Sequence, residues 1–337
     1  MHNKKKEKMK KITLLILSVL FILAKPVLWA QKDSTANVFK PKGKMILTLF
    51  GDFHSEFTDT KNTGFSIERA YLGYQYQFTE GLSAKVVLDV GKSSEVFDLT
   101  KLAYLKNACI TWHKGNFTLH AGLTGMEQFS VQEKAWGHRY LYKSFQDQYK
   151  FGSSADLGLV AQYKFASWVK ADFTFVNGDG YKNLKMDPYF LYGLGVTFNP
   201  ISSLTLRVYG SYHDQDSTLT GQENLTLFVG YKGKKVGVGA EYATIWNAKG
   251  EFGKNMQGVS AFVTLKLPKK FELFARYDLL LSQRRQDQSK DEMAALIGFQ
   301  YSPNSHFKIS PNFRAAVPRA GVSEITLLGY LNIEVKL

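Results

Sequence analysis

LTLFVGYKGKKVGVGAEY, residues 225–242, decides how the chain is read. Leu225, Leu227, Val229 and Tyr231 fall on every second position, and after Gly233–Lys235 so do Val236, Val238, Ala240 and Tyr242. A period of two is the mark of a strand with two unlike faces, and the short Gly-Lys-Lys link joins two such strands as a hairpin. The opposite parity carries Lys232 and Glu241. One face is apolar and the other can hold charge.

The same pattern extends outward in both directions, from Met45 to Val335, in about sixteen segments. None of the apolar-parity positions is charged. The other parity holds eleven cations (Arg69, Lys85, Lys164, Lys170, Arg207, Lys232, Lys266, Arg276, Lys308, Arg314 and Lys336) and seven anions (Asp52, Asp89, Asp172, Glu241, Glu272, Asp278 and Glu334). So many strands with one apolar face need a covering layer, and the sequence offers no set of helices to supply it. Lipid can cover that face, which predicts an all-β, transmembrane antiparallel β-barrel of about sixteen strands.

The connections give an independent test. Seven short links (near 79–82, 113–116, 166–167, 199–203, 233–235, 268–270 and 302–305) alternate with eight longer polar ones. Short turns at one end and long loops at the other are the habit of outer-membrane barrels. Aromatics including Trp112, Phe117, Phe165, Trp168, Phe271 and Tyr301 gather beside the short turns, as in an interfacial girdle. Barrels of this strand number leave an aqueous channel.

Residues 1–30 read as a secretory signal: a lysine-rich start, an apolar run from Ile12 to Ala24, and Ala30 before a cut. Residues 31–43 are a polar leader expected on the periplasmic side, and 44–337 the outer-membrane barrel. The full chain of 337 residues carries +14; without its first 30 residues, 36 basic residues face 28 acidic ones, about +8. That excess gives little support to a nucleic-acid partner. The single cysteine, Cys109, shares its parity with Asn107 and Thr111 and is expected to face inward as filler.

One long stretch, Gly122–Asp156, breaks the alternation. Within it Trp136, Tyr140, Leu141, Phe145 and Tyr149 fall four or five apart, roughly one stripe of a short helix. As the third and longest of the outer loops (124–154), it is expected to fold into the lumen and narrow it. Arg139, Lys143 and Lys150, with Trp136 and Tyr140, are the candidate constriction residues. Candidate charges of the lumen wall are Arg69, Lys85, Asp89, Lys170, Arg207, Arg276 and Arg314.

Gly64–Phe78 (GFSIERAYLGYQYQF), Leu105–Trp112 (LKNACITW), Thr174–Tyr181 (TFVNGDGY) and Gln300–Arg314 (QYSPNSHFKISPNFR), in that order, resemble the phosphate-selective porin O and P family, and most of all porin-like proteins of Bacteroidota. The resemblance covers residues 44–337. It implies a sixteen-stranded, typically trimeric channel with an inward third loop and basic residues along its path. Phosphate specificity is not carried over, because the family's arginine ladder and loop lysines have no residue-by-residue match here.

Catalytic and metal signatures are absent from the sequence: no G-x-S-x-G, H-E-x-x-H, C-x-x-C or phosphate-binding glycine loop. Asn177–Gly180 (NGDG) reads as a tight turn rather than a calcium loop. No catalytic residues, metal or cofactor are expected. Cations in a low-dielectric wall concentrate anions, so a passive outer-membrane porin is expected, passing small hydrophilic solutes with mild anion preference. Opposite charges that pair across strands would instead leave a weakly selective pore. The other class compatible with the pattern is a plugged structural or ligand-binding barrel that works through its outer loops.

Overall fold

The computed structural model describes residues 39–58, 62–92, 101–318 and 325–337. The expected signal segment and residues 31–38 of the polar leader lie outside the described residues, and β1 begins at Lys42, within the stretch read as leader. Among those residues, sixteen strands form one closed antiparallel barrel. The first eight are β1 (Lys42–Glu56), β2 (Thr63–Thr79), β3 (Leu82–Lys92), β4 (Lys101–Lys114), β5 (Phe117–Gly125), β6 (Ala155–Ala166), β7 (Val169–Val176) and β8 (Leu191–Ile201). The second eight are β9 (Leu204–His213), β10 (Gln222–Lys232), β11 (Val236–Trp246), β12 (Met256–Lys266), β13 (Phe271–Ser282), β14 (Glu292–Tyr301), β15 (Phe307–Pro318) and β16 (Thr326–Lys336). Each strand pairs with its neighbour in sequence, and β16 closes on β1 through Thr48 opposite Lys336 to Glu56 opposite Leu328. Closure leaves no strand edge unpaired, the condition for crossing a bilayer with strands.

The alternation seen in the sequence becomes two surfaces. Leu72, Val86, Ile110, Leu194, Val229 and Ile297 are exposed on the outer face, while Asp52, Asp172, Thr226 and Ser310 are buried inside. Rings pair along the short-turn end, Trp112 with Phe117 at 5.9 Å and Phe271 with Tyr301 at 4.8 Å. A second set stands at the long-loop end, Phe53 with Phe65 and Phe175 with both Phe190 and Tyr192. Two aromatic belts bounding an apolar band match the interfacial girdles of membrane barrels.

Two bulges interrupt the regular ladder at the long-loop half. Pairing slips between Phe50 and Gly51 against β2, which adds Glu68 to the lumen side, and between Val87 and Leu88 against β4, which adds Lys106. A bulge inserts one residue and re-aims its side chain.

Candidate functional site: the loop-filled lumen

The connection between β5 and β6 is where the barrel interior is decided. It contains two short helices, α1 (Ser130–Trp136) and α2 (Phe145–Gln148). The aromatic spacing predicts one helical stripe; the chain instead turns sharply at Gly137, which sits at φ 73° and caps α1 by donating its N–H to the Glu133 carbonyl. That left-handed conformation suits glycine. The stripe therefore survives as a surface, with its members spread over α1, the turn and α2.

This surface packs on the inner wall. Trp136, Tyr140 and Leu141 are buried with Phe50 of β1, Phe274 of β13 and Leu296 of β14, and Tyr71, Tyr142 and Phe262 lie against them. Phe145 and Phe151 join Ala243 and Ile245 of β11 and Leu280 of β13 in a second cluster. Gly258 of β12 leaves room for the Phe145 ring, which a Cβ there would strike. Each large aromatic buried in this way contributes on the order of 2–3 kcal/mol.

Polar anchors complete the seat. The Tyr140 hydroxyl donates to Gln300 Oε1 at 2.8 Å and the Tyr149 hydroxyl to Glu292 Oε1 at 2.8 Å. Gln146 Nε2 donates to the buried Glu241 carboxylate, and Thr226 Oγ1 donates to Gln146 Oε1 at 3.2 Å. His138 places Nε2 2.9 Å from Glu272 Oε1, and its Nδ1 lies 2.7 Å from the Trp136 carbonyl. Arg207 Nη2 donates to the Glu127 carbonyl at 2.8 Å. The loop is fixed to the wall at both ends and along its length.

Opposite the loop, a space of 220 Å³ separates it from β1, β2, β15 and β16. Four cations line it (Arg69, Arg139, Lys143 and Arg314) with two carboxylates, Asp52 and Glu68. Arg69 Nη1 donates to Asp89 Oδ2 at 2.7 Å. Arg139 bridges Glu133 and Asp147, each at 3.0 Å, and Lys143 lies 3.9 Å from Asp147. Arg314 lies 3.6 Å from the centre of the Tyr330 ring and donates to Asn312 and Asn332. Burial, with Arg69, Arg139 and Lys182 nearby, pushes the Lys143 ammonium below the ordinary lysine range, against the opposing pull of Asp147. Burial and neighbouring cations lower Lys182 in the same way.

The expected site residues separate by position. Arg139, Tyr140, Lys143, Arg69 and Arg314 come together round this space. Trp136 is buried against the wall and anchors the loop, while Lys150 is exposed at φ 60°, beyond α2. Arg207 and Arg276 are buried beneath the loop and matched to Asp172 and Asp278 at 2.6 and 2.7 Å. Lys85 is half-buried on β3, opposite Cys109, and Lys170 lies near the short-turn end of β7. Asp89 takes Arg69 and the Tyr181 hydroxyl. Cys109 is buried on the lumen face.

Sequence parity did not identify Lys106 and Lys182. Lys106 Nζ lies 3.9 Å from Asp89 and 4.6 Å above the Tyr71 ring, and Lys182 Nζ is 4.6 Å above the Tyr104 ring. Leu105 and Ala108, both on the lipid side yet three apart, were the available signal of the bulge that turns Lys106 inward. Asn177–Gly180 is a turn: the Gly178 and Gly180 N–H groups donate to Asp156, and Lys185 donates to Asp179 at 3.0 Å. No group of three or more metal-ligating side chains occurs among the described residues.

No protein-family model matches the chain, and no curated protein matches it in sequence. Solved structures match it over most of its length. An anion-selective porin from Comamonas acidovorans aligns at TM-score 0.66 and 11% identity, over 88% of this chain and 100% of that one. Salmonella typhi OmpF, in complex with daunomycin, aligns at TM-score 0.65 and 10% identity, over 88% and 97%. OmpT of Vibrio cholerae in a trimer form aligns at 0.56 and 13% identity, over 88% and 99%. At such identities the likeness is one of fold: a closed sixteen-stranded antiparallel barrel of the kind these outer-membrane proteins share.

Proposed function

We propose that this protein is an outer-membrane porin, a passive channel for small hydrophilic solutes with mild anion preference. The observation that carries this reading is the space between the third loop and β1, β2, β15 and β16, where four cations face two carboxylates. A solute crossing there meets fixed positive charge in a narrow, low-dielectric passage, where field lines are focused. Pairing of Arg69 and Arg139 with carboxylates moderates the field, which is why the preference is mild rather than strict. The selectivity class includes phosphate-like anions without singling them out.

The fold shared with outer-membrane proteins supports the location, and the trimer form of the Vibrio cholerae protein supports a homotrimer. Conductance of the purified protein in planar bilayers, with reversal potential in a salt gradient, tests the reading. The expected result is steady open channels with a reversal potential on the anion side. A closed barrel would instead favour a plugged, loop-binding protein, and a cation-side potential would remove the anion preference.

A further inference from the structure

Asp52 of β1 is buried, 5% exposed, where it lines the 220 Å³ space between the third loop and β1, β2, β15 and β16. Its Oδ1 accepts from His54 Nδ1 at 2.7 Å, while Oδ2 has no hydrogen-bond partner among the described residues. A buried carboxylate oxygen left without a donor is costly. The bulge between Phe50 and Gly51 turns Glu68 of β2 into the same space. Two carboxylates thus share one wall, an arrangement that like-charge repulsion disfavours and a cation between them relieves.

The cations of this space are not equally occupied. Arg69 is taken by Asp89, and Arg139 by Glu133 and Asp147. Lys143 Nζ stands 3.9 Å from Asp147, too far for a hydrogen bond. Arg314 donates to two amide oxygens, of Asn312 at 2.9 Å and Asn332 at 2.8 Å, and among the described residues no carboxylate pairs with it. Asn332 in turn lies directly opposite Asp52 in the β1–β16 register, and side chains so paired stand about 5 Å apart. An incompletely matched guanidinium and an incompletely matched carboxylate therefore border one short stretch of wall.

We propose that this space is a binding site for small α-amino acids, with the ammonium at Asp52 beside Glu68 and the carboxylate at Arg314 and Lys143. The assignment deepens the channel reading, on which its role in solute passage rests. An anion alone leaves Asp52 unanswered and meets a second carboxylate; a cation alone meets four positive side chains. A solute with both charges on one carbon satisfies the two sets together. One whose charges are held apart by a chain of methylenes does not, because Arg314 and Asp52 are separated only by Asn332. The 220 Å³ available is the room of about seven waters, which suits alanine or serine rather than an aromatic amino acid.

The test is calorimetric titration of the detergent-solubilised protein with four probes. L-Alanine is compared with lactate, in which a hydroxyl replaces the ammonium, with ethylamine, which lacks the carboxylate, and with 4-aminobutyrate, whose charges are far apart. L-Alanine should bind at least tenfold more tightly than each of the others. Asp52→Asn keeps the side-chain shape and should erase the preference, so that lactate binds at least as well as L-alanine; a merely loosened fold would weaken both in proportion. Wild-type protein that takes lactate or 4-aminobutyrate as tightly as L-alanine overturns the site, as does a preference for L-alanine that survives in Asp52→Asn. Planar-bilayer conductance separates the two readings: alanine binding to a barrel that passes no current overturns the channel reading alone, and steady conductance without alanine binding overturns the site alone.

Discussion

Arg276 Nη1 donates to the main-chain carbonyl of Lys143 at 2.6 Å, tying a lumen-wall arginine to the third loop inside the barrel. The same guanidinium takes both oxygens of Asp278, two residues along β13, at 2.8 and 2.7 Å, beside the rings of Trp136 and Tyr142. An inward cation that parity alone would assign to the solute path is in fact a structural clamp. Removing it should separate two effects.

Arg276→Ala leaves Asp278 buried without a partner, which is expected to cost about 3–5 kcal/mol, and it frees the loop backbone at Lys143. The expected outcome is a lower thermal unfolding midpoint together with a raised, noisier single-channel conductance. The double variant Arg276→Ala, Asp278→Ala removes the orphaned charge. It should recover most of the midpoint while keeping the altered conductance, because the tie to Lys143 is still missing. Recovery of both would mean that Arg276 only balances Asp278.

Glu241 offers a second test of how the loop is held. Its buried carboxylate accepts from Gln146 Nε2, and Gln132 Nε2 lies 3.5 Å away. Burying a carboxylate costs more than burying an amide, so Glu241→Gln, which keeps an acceptor oxygen, should unfold at the wild-type temperature or above. Glu241→Leu strands the Gln146 amide and should lose about 1–3 kcal/mol. Thermal melts of the two variants side by side decide it; a glutamine variant as unstable as the leucine one would mean that the negative charge itself is required.

How far the sequence could be read follows from what lipid constrains. Leu227, Val229 and Val238 must face hydrocarbon, so their spacing registers every strand and turn, and all sixteen strands lie where the alternation places them. The lumen has no such uniform partner. Parity assigns Arg207 and Arg276 to the inside but not to a depth, and it is depth that buries them under the loop with Asp172 and Asp278. Bulges are the other blind spot. One extra residue in β2 and one in β4 turn Glu68 and Lys106 inward against the alternation. Gly137 was visible as a glycine, yet only its left-handed φ shows why the aromatic stripe is split between two helices.

Lys143 is half-buried at the narrowing, with Asp147 3.9 Å away. Lys143→Gln removes one of the four cations there without creating a repulsion against Asp147. The expected result is a reversal potential nearer zero in a salt gradient, with unitary conductance changed less than twofold. Lys150→Gln, at an exposed position beyond α2, should leave the reversal potential where it was. If the two variants behave alike, the field at the narrowing does not set the preference.

The pH dependence follows from the same side chain. Burial comes first among the causes that lower the Lys143 pKa, and the charges of Arg69, Arg139 and Lys182 act in the same direction. A lysine whose pKa is lowered keeps its charge on the acid side and loses its proton earlier than an ordinary lysine as pH rises. Anion preference should therefore hold on the acid side and weaken as pH rises. Arginine keeps its charge across this whole range, so Lys143→Arg should hold the reversal potential constant where the wild type drifts. Lys182, lowered by burial and by Arg69 in the same way, could produce a similar drift from the outer side of the narrowing. A Lys143→Arg channel that still drifts, and stops only when Lys182→Arg is added, would move the titrating group from the third loop to the fourth.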